Sequence, residues 1–200
     1  GLLESEVPGV DLNHLVGSLN QEAPVFIRTN TLKGPREELL SKLAKDDYSV
    51  ESVELTPEVI RFRERKPFFQ SKHFKEGLFE VQDLSSQQVA HFMQLKPGDR
   101  VIDACAGGGG KSLHIAAIMG NKGKVIAMDV RENKLKELKQ RARRAGVDII
   151  ETRSIENAKV IKRLKQSGDH VLLDLPCTGL GVLRRSPDTK WKLTASDISI

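Results

Sequence analysis

The sequence predicts an α/β protein in which an open parallel sheet follows a smaller α+β domain. From about residue 76 onward, short apolar runs alternate with amphipathic helical segments, and this alternation is typical of βαβ units. Four consecutive glycines at 107–110 separate the first of these strands from its helix, where such folds bind ligands. The 200 residues suffice for two domains with a buried core, which we place at 1–75 and 76–200.

The first domain is predicted to begin with a helical lead-in over residues 1–20. A strand follows, and Pro35 then opens a helix whose leucines at 39, 40 and 43 share one face. A turn at residues 56–57 separates two further strands. The apolar content of this domain is small, so we expect it to pack against the next domain. Its strands are predicted at 25–32, 48–53 and 59–62.

The second domain is predicted to begin with a helix that Asp83 caps and that runs to residue 95, with Val89, Phe92 and Met93 inward. Four parallel strands joined by right-handed crossovers follow. The strands are predicted at 100–105, 124–129, 147–152 and 170–175, and the helices between them at 111–120, 132–145 and 155–166.

Composition and charge exclude several classes of protein. No apolar run reaches the length of about 18 residues that a transmembrane helix needs, and the N-terminus lacks the pattern of a signal peptide. Two cysteines cannot form a disulfide framework or a cysteine zinc site, and the five histidines show no metal-ligand spacing. We therefore expect a cytoplasmic monomer without a metal. The net charge of +5 and a basic cluster over residues 61–75 indicate an anionic partner.

The glycine loop and an acidic residue after it indicate a nucleoside-containing cofactor. Consecutive glycines let a ligand approach the backbone at a helix N-terminus. Asp129 ends the next strand, where a carboxylate binds ribose hydroxyls; its alternative role is to cap the following helix. A P-loop would need a glycine where Cys105 stands, and a dinucleotide loop would need one where Ser112 stands. S-adenosylmethionine fits best, and a P-loop nucleotidase is the less favoured alternative.

Two segments resemble the Sun/Nop family of RNA cytosine-C5 methyltransferases. The family's cofactor loop reads C-A-A-P-G-G-K-T, and residues 105–112 read CAGGGGKS. Its second signature, D-A-P-C-S-G-x-G followed by R-R-x-P-D-x-K-W, is similar to DLPCTGLG at 174–181 and RRSPDTKW at 184–191. The segments IRTNTLK at 27–33 and GLFEVQDLSSQ at 77–87 also look like family segments. The resemblance implies a Rossmann-like class I methyltransferase sheet whose C-terminal part is missing here. The four strands present would then have the spatial order 3-2-1-4, which leaves the fourth strand as an apolar edge.

The resemblance also implies the reaction and the residues that carry it. A thiolate adds to C6 of an unstacked cytosine in RNA, in particular ribosomal RNA. C5 then takes the methyl group of S-adenosylmethionine and loses its proton as the thiol leaves. Asp174 would lie at the methyl group and the N3 edge of the base, and Cys177 would assist product release. Cofactor contacts are implied for Cys105, Ala106, Gly107, Gly108, Gly109, Gly110, Lys111, Asp129, Ser154 and Asp174, and RNA contacts are predicted at Arg28, Arg61, Arg63, Lys66, Arg184 and Arg185.

Several points depart from the family pattern. The family has an aspartate after its third strand, for which Ser154 or Glu156 would substitute here. For Cys105, simple core packing is the favoured interpretation, because cysteine is commonly buried, and a place in the cofactor loop is the one that the resemblance implies. The family's nucleophile lies in a later T-C motif that this sequence does not contain, so we expect the chain to be a fragment. If it is complete, Cys177 is the only candidate nucleophile; the alternative is a chain that binds cofactor and RNA without turnover.

Overall fold

The computed structural model describes residue 9, residues 11–177 and residues 179–192. The chain divides into two compact units, one over residues 25–175 and the other over residues 1–24 and 176–200. Both predicted sheets lie in the first unit, and the proposed domain division at residue 75 stays a prediction. Thr178, from the second signature, lies outside the described residues, as does part of the predicted lead-in helix.

The first sheet is antiparallel and has the order β2-β3-β1-β4. Its core joins Ile27, Ile60 and Phe79 from the strands to Leu39 and Leu43 from one face of the predicted helix. The other leucine predicted on that face, at position 40, is partly buried against the same core. The elements are β1 (Val25–Thr29), α2 (Arg36–Lys45), β2 (Val50–Ser52), β3 (Val59–Phe62), a short 3-10 turn (Phe68–Gln70), α3 (Lys72–Lys75) and β4 (Phe79–Val81).

The second sheet is parallel, and its order β7-β6-β5-β8 confirms the predicted order 3-2-1-4. Side chains of one strand point to opposite faces, so Val101 packs in one apolar cluster and its neighbour Ile102 in another. Helices therefore cover both faces, as the apolar character of the strands requires. The elements are α4 (Leu84–Phe92), β5 (Arg100–Asp103), α5 (Gly110–Ile118), β6 (Lys124–Asp129), α6 (Glu132–Ala145), β7 (Ile150–Ser154), α7 (Ala158–Lys162) and β8 (His170–Leu172).

Three sequence predictions for the strands and helices of this segment need correction. Phe92 is 82% exposed rather than inward, because the buried face of α4 is formed by Gln87 and Ala90. The predicted helix 155–166 shortens to α7, since the Asn157 side chain caps its start by accepting from the backbone N–H of Lys159. The strands predicted at 147–152 and 170–175 occupy Ile150–Ser154 and His170–Leu172.

Polar contacts fasten the first sheet to the second within the unit of residues 25–175. The Asn30 side-chain amide donates to the carbonyl oxygens of Gly77 and Ala145, each at 2.8 Å. The buried Glu80 carboxylate accepts from Arg141 at 2.9 Å and from Arg144 at 2.5 Å. These contacts confirm the expectation that the small α+β segment packs against the segment that forms the parallel sheet.

The other unit contains α1 (Leu12–Leu19), a 3-10 turn (Leu180–Val182) and α8 (Thr189–Lys192). Asp11 caps α1 by accepting from the backbone N–H groups of Asn13 and His14. The Arg184 guanidinium donates to the carbonyl oxygen of Glu22 at 2.7 Å, which ties the two segments of this unit together. In the part of the chain that the structure describes, no helix has the length and apolar character needed to cross a membrane.

Candidate cofactor site

The carboxyl ends of the parallel strands meet at one edge of the second sheet. Because β5 pairs with both β6 and β8, the glycine loop after β5 lies next to the segment after β8. Asp129 and Ser154 end the neighbouring strands β6 and β7 and are paired in register. A pocket opens at this edge, where ligands bind in folds of this kind. It is lined by Gln82, Ser86, Asp103, Cys105, Ala106, Gly110, Lys111 and Asp174.

The glycine loop has a backbone shape that other residues adopt only with strain. Gly107 has φ of +53° and Gly109 has φ of +86°, both in the left-handed region. A Cβ atom on Gly109 would lie 2.4 Å from Leu138 Cγ, whereas one on Gly107 would meet nothing within 4 Å among the described residues. The loop therefore packs against α6 at Gly109 and stays open at Gly107. It leads into the N-terminus of α5, whose amides favour polar and anionic groups.

Asp129 holds the glycine loop in place. Its Oδ2 atom accepts from the backbone N–H of Gly107, and its Oδ1 atom accepts from that of Arg131, each at 2.8 Å. Burial alone would raise the pKa of this carboxyl, but the two backbone bonds and the Arg131 side chain lower it below its ordinary value. The carboxylate is therefore ionised at neutral pH. The alternative role as a helix cap is not observed, since the N-cap of α6 is Arg131.

Asp103 is a buried acid at the base of the pocket to which sequence reasoning gave no role. Its Oδ2 atom accepts from the Ser112 hydroxyl at 2.6 Å, and its Oδ1 atom has no hydrogen-bond partner among the described residues. Burial raises the pKa of this carboxyl, against the lowering effect of the Ser112 bond. Nothing in the local sequence assigns it a function, because it lies inside the mostly apolar strand predicted at 100–105.

Lys111 and Asp174 form an ion pair across the pocket. The Lys111 ammonium donates to Asp174 Oδ2 at 2.5 Å, and the side chains are 18% and 51% exposed. The structure thereby brings together two residues that lie 63 positions apart in the chain, as the predicted adjacency of the first and fourth strands requires. Asp174 keeps one side open to solvent, so its carboxylate is accessible to a ligand.

Cys105 lines the pocket and is partly exposed. The expectation of simple core packing is therefore wrong for this residue. Burial raises the pKa of the Cys105 thiol, and the carboxylates of Asp129, Asp103 and Asp174 raise it further. The thiol stays protonated at neutral pH and is a poor nucleophile.

Arg28 is a structural residue rather than an exposed RNA contact. It is only 3% exposed, and its guanidinium donates to the Gln82 side chain and, at 2.7 Å, to the carbonyl oxygen of Gly110. Gln82 in turn donates to the Ser86 hydroxyl at 3.1 Å. Arg28 therefore connects β1 to the first residue of the cofactor helix, and the prediction that it grips RNA needs correction.

The other predicted RNA contacts lie at the surface. Arg61 and Arg63 are 49% and 62% exposed, and both pair with Glu51 on the neighbouring strand. Lys66 is 37% exposed and pairs with Glu64 at 3.4 Å. In the other unit, Arg184 bonds to backbone carbonyls and Arg185 is exposed, and Cys177 is exposed in the same unit. Cys177 follows Asp174 by three residues in the sequence.

Comparisons with known proteins agree with the fold. A family model described as 16S rRNA methyltransferase RsmB/F matches residues 90–200, and one described as an RsmF/B-like ferredoxin-like domain matches residues 3–68. A probable ribosomal RNA small subunit methyltransferase B of Bacillus subtilis is 36% identical over 86% of this chain and 38% of its own length. A protein of the same description from Synechocystis is 32% identical over 99% of this chain and 45% of its own length.

Solved structures give the same result. The crystal structure of PH0851 has a TM-score of 0.90 and 32% identity and covers 97% of this chain and 44% of its own chain. A methyltransferase homolog from Pyrococcus horikoshii has a TM-score of 0.81 and 30% identity and covers 92% of this chain and 60% of its own. The chain thus spans less than half the length of both curated relatives described above.

Proposed function

Because the chain belongs to the RsmB/F family of 16S rRNA methyltransferases, we propose that it carries the cofactor-binding part of an enzyme that methylates C5 of a cytosine in ribosomal RNA. The observation that carries this proposal is the pocket at the edge of the parallel sheet. It combines a glycine loop fastened by Asp129 with the accessible carboxylate of Asp174.

S-adenosylmethionine is the cofactor of this methyltransferase family, and the pocket residues fit it. When bound, it supplies a methyl group on a positively charged sulfonium. The half-exposed carboxylate of Asp174 lines the pocket and suits a cationic ligand. The unpartnered Oδ1 atom of Asp103 offers a buried acceptor, and the open face of Gly107 admits a close ligand.

Each predicted cofactor residue has a role consistent with its place. Residues 105–111 surround the methionine part, because their backbone leads into the N-terminus of α5. Asp129 accepts from the ribose hydroxyls with the lone pairs that its two backbone bonds leave. Ser154, which is paired with Asp129, lies where the family has its adenine-contacting aspartate. Lys111 orients Asp174 through their ion pair.

The chemistry on cytosine requires a thiolate and a group at the N3 edge of the base. A cysteine thiolate adds to C6, which makes C5 nucleophilic; after C5 takes the methyl group, loss of its proton restores the ring and expels the thiolate. Asp174 hydrogen-bonds the N3 edge, where a proton is held while the adduct exists. Cys177 assists release of the product. The proposed RNA contacts include three surface side chains of the unit of residues 25–175, namely Arg61, Arg63 and Lys66. The other two are Arg184 and Arg185.

Cofactor binding tests the pocket assignment independently of turnover. Isothermal titration of S-adenosylhomocysteine into the chain should give one site, and Asp129→Asn should weaken it by about tenfold or more, since one charged hydrogen bond contributes about 1.5–3 kcal/mol. Asp148→Asn, at an exposed acid outside the pocket, is the matched control. Equal affinity in both variants would contradict the role of Asp129.

Methyl transfer from radiolabelled S-adenosylmethionine to unmodified ribosomal RNA tests the reaction. Transfer that the Cys177→Ala variant loses would make Cys177 the nucleophile, and transfer that persists in this variant would exclude that role. Binding without transfer in the unaltered chain would favour the alternative of a chain that holds cofactor and RNA without turnover. Mapping the label to a base other than cytosine would refute the C5 assignment.

A further inference from the structure

A second cluster of chemically capable side chains lies apart from the pocket lining. Glu58 comes just before β3, His91 lies in the last turn of α4, and His114 lies in the middle of α5. One ligand atom from each residue lies within 4.8 Å of the other two. Sequence spacing suggested no metal ligands, because these residues are 33 and 23 positions apart and only the fold brings them together.

The geometry is close to that of a three-ligand metal site. Glu58 Oε2 lies 2.9 Å from His91 Nε2 and 3.9 Å from His114 Nε2. In tetrahedral zinc coordination with bonds of about 2.0–2.1 Å, neighbouring donors lie roughly 3.3–3.4 Å apart. The two observed distances lie within about 0.6 Å of this value, and the third lies within 4.8 Å, so side-chain rotations would bring the three donors to bonding positions. Two histidines and one glutamate are also an established zinc-binding set, which leaves a fourth position for water.

The buried histidine of the cluster lacks the hydrogen bonds that a purely structural role would supply. His114 is 1% exposed, and neither of its ring nitrogens has a hydrogen-bond partner among the described residues. A buried polar ring without partners carries a desolvation cost, which a metal bond to one nitrogen would offset.

Two charged side chains lie in or near the cluster. Glu58 supplies one negative charge and Arg28 one positive charge nearby, and the Arg28 guanidinium is bonded to Gln82 and Gly110 rather than to Glu58. The cluster itself is therefore anionic through Glu58 alone. His91 provides the opening to solvent, since 34% of its side chain is exposed.

We propose that Glu58, His91 and His114 form a binding site for a divalent transition metal of the zinc type. The metal would tie the start of β3 to α4 and to α5, the helix whose N-terminus forms part of the cofactor pocket. It would fasten the first sheet to the cofactor helix and leave a fourth coordination position open to water. The inference rests on this cluster alone and does not depend on the proposed methyl transfer.

Metal titration of the intact chain tests the site. The protein is stripped with a chelator and titrated with Zn²⁺ in competition with a chromophoric indicator, and Co²⁺ is added separately to record its visible absorption. The exposed Cys177 is first replaced by serine so that its thiol does not compete. We expect one zinc ion per chain, a tetrahedral cobalt spectrum without thiolate charge-transfer bands, and a rise in Tm with zinc concentration.

Variants decide whether the three residues are the ligands. Loss of an outer-shell partner typically costs about 10–100-fold in metal affinity, so His91→Gln should cost at least that. Because the His91 side chain is partly exposed, this variant should keep the native fold, and a circular dichroism spectrum checks that it does. His170→Gln is the matched control, at a part-exposed histidine that bonds to Asp99. Absence of stoichiometric zinc, or equal affinity in His91→Gln and His170→Gln, would overturn the proposal.

Discussion

Replacement of Gly109 by alanine tests how tightly the glycine loop is packed. The residue has φ of +86°, and its new Cβ would lie 2.4 Å from Leu138 Cγ and 2.9 Å from Leu138 Cδ1. Leu138 is fully buried at 0% exposure, so it cannot swing into solvent. Two costs therefore add, one for an alanine in the left-handed region and one for overpacking.

The magnitudes separate these two costs. A left-handed alanine costs about 1–2 kcal/mol, of which a lower unfolded-state entropy returns roughly 0.4–1 kcal/mol. Overpacking adds about 1–3 kcal/mol. Gly107→Ala is the matched control, since it shares the positive φ but meets no atom within 4 Å among the described residues. The two variants should therefore differ by about 1–3 kcal/mol, or roughly 2–12 °C in Tm for a chain of this size.

Thermal unfolding followed by circular dichroism measures the difference, and titration with S-adenosylhomocysteine shows whether the loop still binds. The double variant Gly109→Ala with Leu138→Ala should be less destabilised than the sum of the single variants, because the clash is removed together with the leucine. Equal Tm losses for Gly107→Ala and Gly109→Ala, or strict additivity in the double variant, would refute the packing argument.

Three further predictions concern charged residues. Glu80→Ala should destabilise the chain by about 3–5 kcal/mol in urea unfolding, because it leaves two arginines without their buried partner; a loss below about 1 kcal/mol, typical of exposed pairs, would contradict this. As pH rises from about 4 to 7, the Asp103→Asn variant should become more stable relative to the unaltered chain. In the unaltered chain the native pKa of Asp103 is raised above the unfolded value of about 3.9, so that chain loses stability over this range. A difference in Tm between the two chains that does not change with pH would disprove this. Charge reversal at Arg61 and Arg63 should weaken RNA binding and lower its salt slope by about one per lost phosphate contact, whereas Lys42→Glu should leave both unchanged in filter binding.

Local sequence pattern was sufficient to predict most of the architecture. Strands β3 and β6 and helix α6 occur at the predicted residues, because their apolar periodicity and the αL stop at Gly146 act over a few residues. The order of the parallel strands was predicted from the family resemblance, and right-handed crossovers are consistent with it. The cofactor loop and Asp174 followed from motif resemblance, and the strand order then required them to lie at one edge.

Other features depended on contacts that no local pattern encodes. Phe92 has an apolar side chain in an amphipathic helix, but the helix turns its Gln87 face inward. Arg28 reads as a surface cation in a basic protein, but it bonds to the carbonyl oxygen of Gly110, 82 positions away. In each case burial is decided by which element packs on top, and that is set by the whole domain.

The sequence alone determined the alternation of strands and helices, the loop that approaches a ligand, and the family. These depend on periodicity and on residue types that act on their own neighbours. Tertiary structure decided the contacts inside each site: the bond between Asp103 and Ser112, and the grouping of Glu58 with His91 and His114. The physical reason is that hydrogen bonding, charge pairing and metal coordination act over a few ångströms in space, and only the packed fold sets those distances.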